Sequence, residues 1–202
     1  MSGKPRDVAW AKRSVGFGQD GGRDDRDFYE TPIEATDALL SLETLASPVW
    51  EPAAGDGAIT RRLRAHGLEV HETDIAFADP IDFLNTRHPA PVPFVDIVTN
   101  PPYRLAEDFV RTGYVHVLGS GGKLCLLLRL AFLEGLRDGL FQTLPLSRVH
   151  VFSRRLPRMH RVGWQGNRTS SMIAFAWFVW DTQAPMETRL DWVDWANLKV
   201  GG

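Results

Sequence analysis

The chain has 202 residues but a single cysteine, Cys125, only four lysines, and no hydrophobic run long enough to cross a bilayer. Each shortage excludes something. A lone cysteine cannot close an internal disulfide, and within the run Leu124–Leu128 it reads as a small core residue of a reducing, cytoplasmic protein. The polar N-terminus carries no apolar stretch of the kind a secretory signal needs, and a membrane span is not expected. No His/Cys cluster has metal-ligand spacing, so no metal is expected either. No repeat or low-complexity block appears. The formal net charge of −2 rules out a strongly basic body. Lysine is scarce because arginine replaces it: 19 of the 23 basic residues are arginines. Acids are missing entirely between Asp138 and Asp181, a stretch that holds Arg148, Arg154, Arg155, Arg158, Arg161 and Arg168.

What is present describes an ordinary globular chain, 44% hydrophobic and 24% charged, long enough to bury a core. Residues 1–27 are polar and glycine-rich and form an arm, either a disordered tail or a lid that orders over a ligand. The main domain spans 28–181, with a basic segment at 153–171. The tail, 182–202, carries Trp192 and Trp195 and is expected to pack back on the body. Thr31, Pro32 and Glu34 predict a capped helix start running to about residue 45. Strands are expected at 48–51, 68–73, 81–83, 94–99, 123–130, 148–152 and 172–180. Helices are expected at 58–66, 105–118 and 132–144. Strands that are apolar throughout and alternate with helices predict an α/β fold. Its seven-stranded sheet is mostly parallel and covered on both faces, with the last strand antiparallel.

Three strand ends carry chemistry. After the first strand comes EPAAGDG, residues 51–57, where Gly55 and Gly57 allow a tight turn and close ligand approach at a helix N-terminus. The third glycine of a dinucleotide fingerprint is absent, and Glu51 and Asp56 are acidic, so a ligand with a cationic amino group fits better than a pyrophosphate. Asp74, 17 residues beyond Gly57, stands where an acid holds a ribose diol. Asp82 and Phe83 could hold an adenine by accepting its amino hydrogens and stacking on its ring, or could be a capping acid beside a core aromatic. The strand 94–99 runs into Asn100, Pro101, Pro102 and Tyr103. Two consecutive prolines have no N–H for a sheet and force a rigid extended turn.

FYETP at 28–32, EPAAGDG at 51–57, TDI at 73–75, DFL at 82–84 and TNPPY at 99–103 resemble, in that order, motifs of S-adenosylmethionine-dependent DNA N6-adenine methyltransferases. LLLRLAFLEG and SMIAFAWFVWD look like later parts of small members found in phages and mobile elements, some paired with restriction enzymes. The resemblance implies a Rossmann-like class I methyltransferase and S-adenosyl-L-methionine as cofactor. Phe28, Tyr29, Thr31 and Pro32 would cap the cofactor's methionine part. Glu51, Ala53, Gly55 and Gly57 would line the methionine and ribose, Asp74 with Ile75 beside it would hold the ribose, and Asp82 and Phe83 the adenine. Asn100, Pro101, Pro102 and Tyr103 would form the catalytic loop. No sizeable recognition domain follows, which leaves sequence specificity open.

That loop suits an exocyclic amine. The adenine N6 lone pair is delocalised into the ring, so two acceptors on its hydrogens help by drawing the nitrogen toward tetrahedral geometry. The Asn100 side-chain oxygen and the Pro101 carbonyl are those acceptors, and Tyr103 can stack on the base. A base in a duplex must be flipped out to arrive, and Phe152 or Trp164 is the candidate clamp for its other face. Arg154, Arg155, Arg158, Arg161, Trp164 and Arg168 read as the contact to nucleic acid, double-stranded DNA foremost. The oligomeric state is open, a monomer being favoured. The alternatives are an RNA adenine methyltransferase, a protein glutamine methyltransferase with similar NH2 chemistry, and a catalytically weak DNA-binding homologue.

Overall fold

The structure, a computed structural model, describes residues 30–87, 90–135, 138–160, 165–167 and 169–198. The arm, Phe28, Tyr29, Arg161, Trp164 and Arg168 lie outside the described residues.

Seven strands form one sheet in the order β2-β1-β3-β4-β6-β5-β7. They are β1 Val49–Glu51, β2 Val70–Glu72, β3 Asp96–Thr99, β4 Lys123–Arg129, β5 Arg148–Phe152, β6 Phe175–Asp181 and β7 Arg189–Val193. All run parallel except β6, which lies antiparallel between β4 and β5, as expected for the apolar strand at 172–180. Four helices accompany them: α1 Ile33–Leu42, α2 Ala58–Ala65, α3 Ala106–Ser120 and α4 Asp138–Thr143.

The central strands are apolar on both sides because both faces are covered. One face buries Trp50, Phe109, Leu124, Leu126, Phe178 and Trp180 with residues of α3 and α4. The other buries Leu39, Ile59, Leu63, Leu127 and Trp177 with residues of α1 and α2.

Several expected elements differ. Residues 81–83 form no strand: Asp82 instead caps a single 3₁₀ turn, Phe83–Asn85, accepting from the Leu84 N–H. The seventh strand comes from the tail, where Arg189–Val193 pairs in parallel with β5 and forms the sheet edge. The helix expected at 132–144 is broken. A 3₁₀ turn, Leu130–Leu133, is followed by Gly135 at a φ of 85°, a conformation only glycine adopts freely, and α4 starts after it. Thr31 and Glu34 make no capping box; Pro32 is the N-cap, without a side-chain cap.

Helix α1 also ends early, at Leu42, because Glu43 leaves helical geometry to reach a cluster at the amino-terminal end of the sheet. Its carboxylate accepts from Arg148 Nε at 2.5 Å and Lys123 Nζ at 2.8 Å, and His150 Nε2 lies at 2.9 Å. Arg148 also pairs with Asp181 at 2.7 Å. Burial pushes the Glu43 carboxyl up, but the bonds from His150, Arg148 and Lys123 outweigh it and hold it well below the usual carboxylate range. The cluster ties α1 to β4, β5 and β6.

The opposite end of the sheet is where the topology turns. From β1 the chain passes through α2 to β2 on one side; from β3 it passes through α3 to β4 on the other. The adjacent strands β1 and β3 thus flank the switch point, and a ligand crevice in such sheets opens beyond their carboxyl ends. Glu51 ends β1 and Asn100 follows β3.

Close packing at the turn into β4 gives a stability test. A Cβ on Gly122 would lie 1.9 Å from the Val95 carbonyl oxygen, whereas one on Gly67 would meet nothing within 4 Å, although Gly67 has a φ of 82°. Gly122→Ala should cost upwards of ~2 kcal/mol through overpacking. Gly67→Ala should cost about 1 kcal/mol through its left-handed backbone alone. Urea unfolding followed by tryptophan fluorescence measures both.

Candidate active site

The β1 loop turns through Gly55 at φ 56° and Gly57 at φ 78° before α2 begins. Gly57 has little room as well as an unusual backbone: a Cβ there would sit 3.3 Å from Glu72 Oε2. Asp74 shapes this loop directly. One carboxylate oxygen accepts from Gly55 N at 2.9 Å and the other from Ala76 N at 2.8 Å, so the acid ties the end of β2 to the glycine turn. Ile75 beside it is exposed. Ala53 is half-buried against the core.

Glu51 is buried at the base of the loop, 2% exposed, and accepts from the Thr60 hydroxyl. Burial pushes its carboxyl up to about 8 against the opposing hydrogen bonds from Thr60. No basic side chain pairs with it among the described residues. Asp56, in the same loop, is paired with Arg61 at 3.0 Å.

Asp82 and Phe83 take structural parts. Asp82 accepts from Leu84 N and from Asn85 Nδ2. Phe83 is 2% exposed, edge-on to Trp50 at 5.1 Å and 4.9 Å from Phe109, which leaves it no open face for a stacked base.

After β3, Pro101 and Pro102 carry the chain into the 3₁₀ turn Tyr103–Leu105, with Leu105 N donating to the Pro102 carbonyl at 2.8 Å. Asn100 Nδ2 donates to the Thr31 hydroxyl at 3.0 Å. This is why Thr31 caps no helix: its oxygen is engaged across 69 positions of sequence. The other end of the amide, Asn100 Oδ1, is buried with no donor among the described residues. The structure thus brings together Thr31, Asn100, Pro101, Pro102 and Tyr103, and sets the Glu51–Gly57 loop on the neighbouring strand.

Tyr103 is held on several sides. The Arg129 guanidinium lies 5.0 Å over its ring, and Phe175 lies 5.6 Å away. Burial pushes its phenol up, against Asn100 and Arg129, so the hydroxyl stays neutral. The Tyr103 hydroxyl donates to the Met159 sulfur at 3.5 Å, and Asn100 Nδ2 lies 3.7 Å from the same sulfur. Neither Arg129 nor Met159 stands out as a site residue in the sequence: one closes an apolar strand, the other sits among arginines.

Met159 belongs to the basic segment, whose described flanks, 156–158 and 169–171, pair antiparallel. Pro157 and Ser170 form an antiparallel bridge, Arg158 N donates to the Thr169 carbonyl at 2.6 Å, and Ser171 N to that of Leu156 at 2.8 Å. His160 O accepts from Glu30 N at 3.0 Å. The segment therefore lies across the Asn100 loop. Arg155 and Arg158 are exposed. Arg154 is exposed too, but it is forked onto Asp194 at 3.0 and 3.3 Å and lies over Trp195, so the tail engages it. Phe152, considered as a clamp, is a core residue at 8% exposure, packed in the cluster with Leu156 and Trp177.

Two open cavities, of about 410 and 760 Å3, lie at the amino-terminal end of the sheet, the first beside Phe94 and Ser120, the second beside Glu43 and Trp192. Neither adjoins the glycine loop or Asn100. Chemistry and topology, rather than cavity size, single out the switch point. Among the described residues no group of His, Cys, Asp and Glu could hold a metal, and no helix is long and apolar enough to cross a membrane.

No protein-family model and no curated protein matches the chain. Solved structures do. A type I restriction-modification methyltransferase subunit from Streptococcus thermophilus superposes with a TM-score of 0.55 at 12% identity, over 82% of this chain and 47% of that one. The chain thus spans about half the length of that subunit. A predicted O-methyltransferase from Agrobacterium tumefaciens gives 0.48 at 17% identity, over 81% and 86% of the two chains. A precorrin-6y C5,15-methyltransferase from Geobacter metallireducens gives 0.43 at 12%, over 73% and 88%. The seven-stranded sheet, its single antiparallel strand and its helical faces give this chain the Rossmann-like class I methyltransferase fold.

Proposed function

We propose that the chain is an S-adenosylmethionine-dependent methyltransferase acting on a planar NH2 group, the N6 amine of adenine in DNA. One observation carries the reading: a buried amide oxygen with no donor among the described residues, Asn100 Oδ1, on a double-proline turn at the topological switch point. A buried acceptor left unpaired costs about 1–3 kcal/mol. A ligand N–H would recover that cost.

The chain's own groups divide the work. Thr31 holds Nδ2 and so fixes which end of the Asn100 amide faces the incoming amine. Oδ1 and the Pro101 carbonyl accept the two amine hydrogens, which frees the nitrogen lone pair from the ring. The prolines hold both acceptors in place, and Arg129 keeps the Tyr103 ring positioned to flank the base. The residues fit the cofactor at its amino-acid and ribose end: two left-handed glycines, a buried carboxyl in Glu51 with no cation among the described residues, and Asp74 at the neighbouring strand end. When bound there, the cofactor supplies an electrophilic sulfonium methyl. Asp82 and Phe83 fit its adenine less well, since capping and core packing already engage them. Arg155 and Arg158, exposed on the basic segment beside this loop, would meet phosphates.

Incubation of the protein with tritiated cofactor and adenine-containing duplex DNA should label N6. Label that goes only to RNA, or to protein glutamine, would overturn the substrate. Asn100→Ala should lower kcat by roughly 10²–10³, the scale for removing one preorganised transition-state hydrogen bond, with cofactor affinity by calorimetry unchanged.

Arg155→Ala and Arg158→Ala should each flatten the slope of log K against log salt by about 0.9 for every phosphate that is no longer neutralised. Arg154→Ala should leave that slope unchanged, since Asp194 already holds this side chain. Binding titrations over a salt series measure all three.

Glu51 gives a pH test. Its folded pKa of about 8 lies above the ordinary carboxylate value of 4.5. Between those values the folded protein holds a proton that the unfolded chain has released, so stability falls as pH rises through that window, by ~1.4 kcal/mol per unit at most. Glu51→Gln should remove that slope, giving melting temperatures that change little from pH 5 to 8 while the wild type declines. Cofactor should stabilise the wild type more at pH 8 than the variant, because its ammonium would pair with the ionised carboxylate.

A further inference from the structure

β7 ends the sheet, and it does so unusually bare. Arg189 N donates to Ser147 O, and Val193 O accepts from Ser153 N, so the backbone groups of residues 189, 191 and 193 face β5. The alternation of a strand then turns the N–H and C=O of Leu190 and Trp192 outward. Among the described residues nothing pairs with them. The side chains are no better covered. Val149 is opposite Leu190 and Val151 opposite Trp192, which places both β7 residues on a sheet face that is core further in. Yet Leu190 is 43% exposed, Trp192 70% and nearby Met186 80%. Edge strands are ordinarily blunted by proline, bulges or charge; this one carries charge only on its other face, at Arg189 and Asp191.

That charge selects an occupant. We propose that a second copy of this chain docks on the edge, its β7 antiparallel to the first, about a two-fold axis through Leu190. The two Leu190 residues then exchange N–H···O bonds from groups that already face outward, and the outward groups of Trp192 meet Thr188 of the other copy. Each Arg189 stands opposite the other copy's Asp191, and the apolar face continues through both Leu190 side chains, flanked by the tryptophans. Within one chain Arg189 already lies 3.2 Å from both Asp191 oxygens, so the charges need no large movement. Other registers fail. An axis through Asp191 sets two carboxylates face to face, and one through Trp192 sets Asp191 opposite Val193 and Arg189 opposite Trp195. The interface is isologous, as a two-fold requires, and independent of the methyltransferase reading.

Sedimentation velocity over a range of protein concentrations, with circular dichroism for folding, tests this. The wild type should dimerise. Arg189→Glu and Asp191→Arg should each be monomeric, since each opposes like charges twice. Mixed together they should form a heterodimer, because both cross-pairs are then of opposite sign; that rescue also separates a disrupted interface from a misfolded chain. Leu190→Pro removes one outward N–H and no bond to β5, and should be a folded monomer. A wild type that stays monomeric throughout, a mixture that does not associate, or a folded Leu190→Pro variant that still dimerises overturns the proposal.

Discussion

A side-chain amide has two ends of nearly equal shape and opposite hydrogen-bonding character, and the fold commits one of them. Asn100 engages its NH2 with Thr31, which arrives from ahead of α1, and keeps its oxygen buried with no donor among the described residues. The nearest possible donors would be the backbone N–H groups just downstream, and Pro101 and Pro102 have none. The same two residues that stiffen the turn thus offer the oxygen no backbone donor. The position of Thr31 depends in turn on α1 packing against the sheet, where Ala35, Ala38 and Leu39 are fully buried. The site therefore depends on the whole α1–β3 packing rather than on a local loop.

The two ends of the sheet treat buried carboxyls in opposite ways. At the amino-terminal end Glu43 is surrounded by Arg148, Lys123 and His150, and its charge is stabilised. At the carboxyl end Glu51 has a hydroxyl for a partner and no cation among the described residues, and its charge is opposed. Both residues follow from the same rule, that burial favours the neutral form unless hydrogen bonds and opposite charge outweigh it. One end is internally complete and joins four elements. The other leaves a buried carboxyl with no cation beside it among the described residues. Such a division is expected where stability at one end of a domain offsets strain retained at a functional one.

Much of this was legible in the sequence because strands buried on both faces leave long apolar runs. Those runs located β1, β3, β4, β5 and β6, and placed EPAAGDG and NPPY at adjacent strand ends. The failures have physical reasons. RLDWV alternates because β7 is an edge strand buried on little of its surface, so it lacks the apolar run that marked the others. Ile81–Phe83 looked like a strand because Phe83 is a core residue, but Asp82 can bond its own backbone two positions on, and that bond turns the chain. Thr31 looked like a cap because capping is the local use of a threonine; its long-range use by Asn100 has no local signature. Arg154 looked free because its partner, Asp194, is 40 residues away. A local pattern is silent wherever the partner is distant or the face is exposed.

The position of Met159 links recognition to chemistry on the proposed reading. Its sulfur touches both Asn100 and Tyr103, so an incoming base must displace it. Methionine suits such displacement, because an unbranched thioether has several low-energy rotamers and makes only weak hydrogen bonds, so moving it costs little. A leucine in its place would fill the space as well but would leave Asn100 Nδ2 and the phenol without their weak acceptor. The neighbouring Arg158 is exposed, and its backbone N–H is fixed to Thr169 across the paired flanks. A phosphate drawn to Arg158 therefore acts on the segment that carries Met159. A free nucleoside, which has no phosphate for Arg158, would have to displace the same thioether without that assistance. On the proposed reading, this arrangement would favour polymer over nucleoside.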